Sequence, residues 1–310
     1  MKKFLTLAFA FVFMTGVAFA QDNDASVTQD ANSSDATITQ TGADNAADVT
    51  QQPGQYHEAI VEQVGDDNTV DLVQDNTNTF TDVLQDGDGN TADIFQRSRL
   101  FVGPGSVGAS IDLIQDGDNN TADIRQDAES GAGGSQTNVA DVSQVGNSNN
   151  AMVDQNRDIG PGFNSASIDQ GGDGHEASII QDGASNSASI SQSSSLDDHT
   201  QVQEGDGNFA QVRSFAGSNT GIQTQEGDGN ASQLNQSGGF LAEIAQFGDD
   251  NNARLRQAGG SGSEATIDQY GTGNTVGVDQ QGSNNMLTVD QDGTGNTAGS
   301  SWWSNPGQSH

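Results

Sequence analysis

A single residue slot returns along almost the whole of this chain at intervals that are mostly eleven residues. It falls at 29, 40, 51, 63, 74, 85, 96, 115, 126, 144, 155, 170, 181, 192, 203, 214, 225, 236, 246, 257, 269, 280 and 291, and of these 23 positions only Ser214 is not Gln. Sixteen of the 22 intervals are eleven residues; the others are 10, 12, 12, 15, 18 and 19. Two residues before the slot stands Val, Ile or Leu in 21 cases, the exceptions being Gln201 and Gln223. Four before it Ala fills 15 positions, and six before it Asn fills 15. Self-similarity of this kind means a stack of equivalent units, none of which can bury its apolar face alone.

Asn, Ala, Ile and Gln thus occupy alternate residues. An extended strand places all four on one face, whereas a helix at 3.6 residues per turn scatters them. Between strands lie turns rich in Gly, Asp and Asn, such as Asp86 to Asn90 and Glu204 to Asn208; Gly there supplies the positive φ that tight reversals need. The expected fold is all-β, a two-sheet parallel β-solenoid of about 23 strand-turn units with two units per rung. Rungs repeat about 4.8 Å apart, giving a rod on the order of 50 Å long. Three boundaries follow: residues 1–20, the repeat array at 21–291, and a degenerate final unit with tail at 292–310, in which Trp302 stands where Gln is due.

Inside the rod, stacked aliphatics form a thin dry core and stacked amides form ladders, because a buried amide is costly unless an identical neighbour completes its hydrogen bonds. The candidate stacking positions are Gln40, Gln51, Gln63, Gln74, Gln85, Gln96, Gln115, Gln126, Gln144, Gln181 and Gln192, with Asn45, Asn68, Asn90, Asn120, Asn186, Asn208, Asn230, Asn251 and Asn274. Ser214 breaks one ladder and Gln201 and Gln223 break the aliphatic row, so Leu196 to Ser237 is expected to be the least ordered part of the stack.

Composition narrows the function. After residue 20 the chain has no Lys and seven Arg against 43 Asp and Glu, which argues against nucleic acid as a partner. The absence of Cys removes disulfide stapling and thiol chemistry. Lys2 and Lys3, the apolar run Phe4 to Phe19 and Ala18-Phe19-Ala20 form a secretory signal peptide, and nothing later is apolar enough to span a membrane. Outward positions carry Asp48, Asp71, Asp93 and Asp123, whose stacked like charges keep the chain soluble and make assembly sensitive to acid and salt. One outer zone is apolar, with Val73 over Phe95 and Leu84 over Ile114. Three long insertions, Arg97 to Ala109, Asp127 to Asn138 and Asn156 to Asn164, follow odd-numbered strands and decorate one edge.

The pattern Asn-x-Ala-x-x-x-Gln, with Gln-x-Gly-x-x-Asn joining strands, resembles the curlin repeat; Gln85 to Gln96 is a close match. The resemblance implies a secreted subunit of a bacterial extracellular amyloid fibre, deposited in biofilm matrix and serving adhesion. Its implied partners are further copies of itself, a nucleator subunit and an outer-membrane export pore. The stacking residues, not a catalytic centre, would then be the working parts, with no cofactor. The other reading is a calcium-binding or adhesive monomeric β-solenoid at the cell surface. Asp86 to Asn90 and Asp116 to Asn120 open like a calcium loop, but Arg97 and Asp127 stand where the closing Glu belongs, leaving diffuse divalent cation binding to the acidic face.

Overall fold

The computed structural model describes residues 22–99, 108–129, 138–155 and 163–299. The amino-terminal apolar segment, most of the three insertions and Trp302 lie outside them. In chain order the strands are β1 (Asp24–Gln29), β2 (Asp35–Thr41), β3 (Ala46–Gln55), β4 (Glu58–Val64), β5 (Thr69–Thr77), β6 (Thr79–Asp86), β7 (Thr91–Arg99) and β8 (Ala109–Asp116). They continue as β9 (Thr121–Glu129), β10 (Asn138–Val145), β11 (Asn150–Gln155), β12 (Ser165–Gly171), β13 (Glu176–Asp182), β14 (Ser187–Gln192), β15 (Asp198–Glu204) and β16 (Phe209–Ser214). The last are β17 (Thr220–Glu226), β18 (Ala231–Ser237), β19 (Leu241–Phe247), β20 (Asn252–Ala258), β21 (Glu264–Thr272), β22 (Thr275–Gln281), β23 (Met286–Thr294) and β24 (Thr297–Gly299).

Odd strands form one parallel sheet of 12 and even strands form another, each in unbroken sequence order. The chain is a two-sheet β-solenoid, with no helix among the described residues. Register follows the repeat: Ala92 pairs with Ala122, Ile94 with Ile124 and Gln96 with Gln126. Identical side chains therefore sit above one another. The short β24 continues the even sheet one rung beyond Gln280, pairing Val276 with Ala298.

Burial alternates along nearly every strand. In β4 Ala59, Val61 and Gln63 are buried while Glu58 and Glu62 face water. The core is one continuous cluster of Ala, Val, Ile and Leu, with Leu72, Ile94, Ile124, Leu113 and Ile168 among its fully covered members. Each rung adds only a few such residues, so the core is long and thin. Turns stack as tightly as strands. Gly87 has φ +126°, and a Cβ there would lie 2.3 Å from the carbonyl oxygen of Gly117 in the turn above. Only glycine fits both the backbone angle and the approach.

On the outer surface, the register pairs Val73 with Phe95 and then Phe95 with Arg125. The guanidinium groups of Arg125 and Arg97 stand 5.4 and 5.9 Å from the centre of the Phe95 ring. This corrects the expectation of a bare apolar zone there, because cations lie over its aromatic face.

Candidate functional site

The glutamine columns are the first element. In the odd sheet they run from Gln29 to Gln291 without a break, each Nε2 donating to the Oε1 of the next rung at 2.7 to 3.3 Å. In the even sheet Gln40, Gln63, Gln85, Gln115, Gln144, Gln170 and Gln192 are linked likewise at 2.8 to 3.0 Å. The bonds all point one way, from amino-terminal rung to carboxy-terminal rung. Gln40, near the end of the stack, is half-buried; the interior members are buried.

The second N–H of each amide crosses to the other sheet. Gln51 donates to the Asp35 carbonyl at 2.9 Å, Gln96 to Phe80 at 3.0 Å and Gln181 to Ser165 at 3.1 Å. In each case the acceptor lies 16 residues earlier, near the start of the facing strand. Both amide protons are thus used, and the two sheets are stitched along both edges. The Ala slot is where this crossing amide needs room. Where Thr81 occupies that slot its hydroxyl joins the network, donating to Gln96 Oε1 at 2.9 Å.

Asparagines add a backbone relay to the amide ladder, in which Asn68 Nδ2 donates to Asn45 Oδ1 at 3.0 Å and Asn90 Nδ2 to Asn68 Oδ1 at 3.1 Å. Asn45 Oδ1 accepts the backbone N–H of Asn68 at 3.0 Å, and Asn68 Oδ1 accepts that of Asn90 at 3.0 Å. The Nδ2 of Asn68 then donates to the Gly87 carbonyl at 2.7 Å, and Asn90 and Asn120 repeat the pattern against Gly117 and Gly146. Each Asn therefore clips a turn to the turn above. Asn186, Asn208, Asn230, Asn251 and Asn274 do the same on the opposite edge. His175 and Asp197 take the Asn slot in successive rungs and keep the relay going: His175 Nδ1 accepts the Asp197 N–H at 3.3 Å, and Asp197 Oδ1 accepts that of Asn219 at 2.8 Å.

A third column escaped the sequence reading. Three residues after eight of the glutamines stands an Asp or Asn whose side chain accepts a backbone N–H from the turn below, among them Asp66 N–H to Asp88 at 2.8 Å, Asp88 N–H to Asp118 at 2.9 Å and Asp118 N–H to Asn147 at 3.0 Å. The aspartates that resemble a calcium loop thus hold adjacent turns together. The signal lies in the recurrence of Asp or Asn three residues after the glutamine.

Ser214 does not leave a gap, which corrects the expectation for this stretch. His199, facing it from the odd sheet, accepts a hydrogen bond from Gln192 Nε2 at Nδ1 (3.0 Å) and donates from Nε2 to Gln236 Oε1 (2.8 Å). A neutral imidazole with its proton on Nε2 reproduces the acceptor and donor sense of the missing amide. Gly221, above His199, makes space: a Cβ there would lie 2.7 Å from His199 Cδ2 and 2.6 Å from Leu234 Cδ2. Gln201 and Gln223, the polar intruders in the aliphatic row, bond each other at 2.7 Å. Burial pushes the His199 imidazole below its ordinary pKa, and burial does the same at His57, whose Nδ1 lies 2.6 Å from the Thr79 hydroxyl.

On the outside, burial, and then the charges of Asp93 and Asp48, lift the Asp71 carboxyl above its usual range. Asp82, Asp141 and Asp268 are raised for the same two reasons, burial first and stacked acids second. Among the described residues no group of three or more acidic or histidine side chains is placed to hold a metal ion.

The arrangement defines a structural class: a repeat protein whose interior is knitted by directional amide columns. The family model for the curlin associated repeat matches residues 20–52, 164–193 and 260–293, at the beginning, middle and end of the array. Those three stretches are similar to the curlin associated repeat, and the register joins the units between them to them rung by rung. No curated protein matches it.

Proposed function

We propose that the chain is a secreted structural subunit that adds end to end to further copies of itself, building extracellular curli-like amyloid fibres for biofilm matrix and surface adhesion. The observation that carries this reading is the complementarity of the two ends. Among the described residues β1 and β2 are paired on one side only, as are β23 and β24. Among the described residues Gln29 Oε1 accepts nothing, and Gln291 uses one N–H, toward the Thr275 carbonyl at 3.2 Å. A copy placed with Gln29 above Gln291 continues the column with the same donor-to-acceptor sense, and Asn23 N–H falls over Asn285 Oδ1 in the same way. The interior amide geometry thereby becomes the intermolecular one.

Among the described residues the apolar core is also open at the last rungs. A groove of about 590 Å³ lies there among Val278, Leu287, Val289 and Ala298, and Met286 is 79% exposed. Unpaired strand edges over an uncovered core favour strand addition. In this reading a nucleator subunit supplies the first template, an outer-membrane pore exports the unfolded chain, and the acidic surface takes divalent cations diffusely.

The test is seeded conversion of the purified chain lacking residues 1–20, followed by dye binding, electron microscopy and fibre diffraction. Fibres with a meridional spacing of about 4.8 Å are expected. A chain that stays a monodisperse monomer in the presence of its own seeds overturns the reading.

A further inference from the structure

The outer face of the even sheet is divided by charge in a way that the odd sheet is not. From β4 to β12 it presents Glu58 and Glu62, then Asp82, Asp112, Asp141 and Asp169, at least one acid per rung. From β16 to β20 it presents Arg213, Arg254 and Arg256, with no acid on those three strands. Arg213 lies in register with Ser191 and Asn235, and Arg254 with Gln233 and Gly277, so neither has a carboxylate directly in register with it. Arg256 donates to Asp279 at 3.0 Å. These arginines border a shallow groove of about 550 Å³ together with Phe215, which is 56% exposed. Three of the chain's seven arginines are concentrated here, in a protein with a net charge of -34.

We infer that this face pairs with the same face of a second, antiparallel copy, side by side. The geometry is set by the order of strands. In the even sheet β6, β8 and β10 are third, fourth and fifth of 12, while β16, β18 and β20 are eighth, ninth and tenth. A two-fold axis parallel to the strands through the middle of that sheet sets the third rung opposite the tenth, the fourth opposite the ninth and the fifth opposite the eighth. Asp82 then faces the rung of Arg254 and Arg256, and Asp141 faces the rung of Arg213. The two faces share one rung spacing, so the match holds along the stack without slippage.

The same axis makes the pair flush at both ends and the contact isologous, each acidic half meeting the other copy's basic half. A parallel, unstaggered pair instead sets acid on acid, which disfavours that arrangement. Charges farther apart than about 8 Å are screened at physiological salt, so the composition of the facing rungs outweighs the repulsion between two acidic rods. The odd sheet lacks such a partner surface: Asp48, Asp71, Asp93, Asp123, Glu243, Asp268 and Asp290 line its outer face. Of the cations there, Arg97 is held by Asp127 and Arg125 lies over Phe95.

The contact lies on the rod's flank and is independent of growth at its ends, so each can fail without the other. Because the chain has no cysteine, disulfide trapping is clean. Ile114→Cys on β8 and Asn235→Cys on β18 occupy opposed rungs in the antiparallel pair. A mixture of the two single variants is expected to give the mixed disulfide dimer in preference to either homodimer. Charge reversal supplies the second arm. Arg213→Asp/Arg254→Asp/Arg256→Asp is expected to lower lateral pairing on the order of tenfold in sedimentation and electron microscopy, as is raising salt from about 0.1 to about 0.5 M. Mixing that variant with Asp82→Arg/Asp112→Arg/Asp141→Arg restores pairs in which one copy carries each set. Homodimers trapped as readily as the mixed dimer, or pairing indifferent to salt and to both charge sets, overturns the inference.

Discussion

Replacing His199 by alanine removes both hydrogen bonds that carry the even glutamine column past Ser214. Gln192 is left with an unused N–H and Gln236 with an unpaired Oε1, in a position where both side chains are buried. Each orphaned buried group costs about 1 to 3 kcal/mol, and trimming the imidazole to a methyl adds a cavity term of about 1 kcal/mol. His199→Ala is therefore expected to destabilise the rod by about 4 kcal/mol. Ser214→Gln alone is also destabilising, by about 1 to 3 kcal/mol, because the new amide meets the imidazole already in its place. Together they should largely cancel, since the amide introduced at position 214 would take the Gln192 and Gln236 bonds that the histidine gave up. Adding Gly221→Ala, which clashes with His199 in the native rung, completes an ordinary repeat.

The assay is the guanidinium midpoint of the folded rod, followed by circular dichroism for each single and combined variant. A coupling of more than about 2 kcal/mol between positions 199 and 214 is expected; simple additivity refutes the bridge. Acid gives a separate handle. The bridge requires neutral imidazole, and burial holds its pKa below the ordinary value of 6.5. The unfolded chain therefore binds the proton first as pH falls, and stability drops below pH 6.5 with a slope of at most about 1.4 kcal/mol per pH unit for this group. His57 adds a similar loss. The His199→Ala/Ser214→Gln variant should keep only the His57 part.

Other consequences are simpler to state. Gln126→Leu strands the Gln96 N–H and the Gln155 Oε1 in the unbroken odd column, where no histidine compensates; a loss of roughly 3 kcal/mol in the unfolding free energy is expected. Asp71→Asn and Asp141→Asn relieve stacked like charges and should raise stability at neutral pH by about 0.2 to 1 kcal/mol each, less at high salt. Because those carboxyls have raised folded pKa values, the native state takes up their protons first on acidification. The contribution of these two carboxyls to wild-type stability therefore rises as pH falls toward 4, and the advantage of the variants disappears there. Gly87→Ala forces a side chain into a left-handed turn against the Gly117 carbonyl and should lower the midpoint by the equivalent of roughly 2 to 3 kcal/mol.

The parts legible in the sequence are those in which side-chain identity repeats. Alternation of Asn, Ala, Ile and Gln identified the strand, its inward face and the stacking register, because a slip of one residue would turn every buried amide to water. The acceptors of the second amide proton were hidden for the opposite reason. They are backbone carbonyls, which carry no letter, and the acceptor for Gln51 is Asp35 while that for Gln96 is Phe80. Asp88 and its equivalents were written in the sequence, but their regularity resembled metal-loop chemistry and surface charge.

The three exceptions His199, Ser214 and Gly221 look like separate defects along the chain because they sit in consecutive strands of opposite sheets. Folding brings them into one contact, in which a lost amide, a gained imidazole and a deleted methyl compensate one another. A deviation at a ladder position is therefore to be judged with the residue seven after the glutamine of the rung below, since Gln192 meets His199, and Gln74 meets Thr81, across that interval. Where the facing residue can accept on one side and donate on the other, the column continues; where it cannot, as in Gln126→Leu, that column is cut in two while the even column, the asparagine relay and the apolar core carry on past the break.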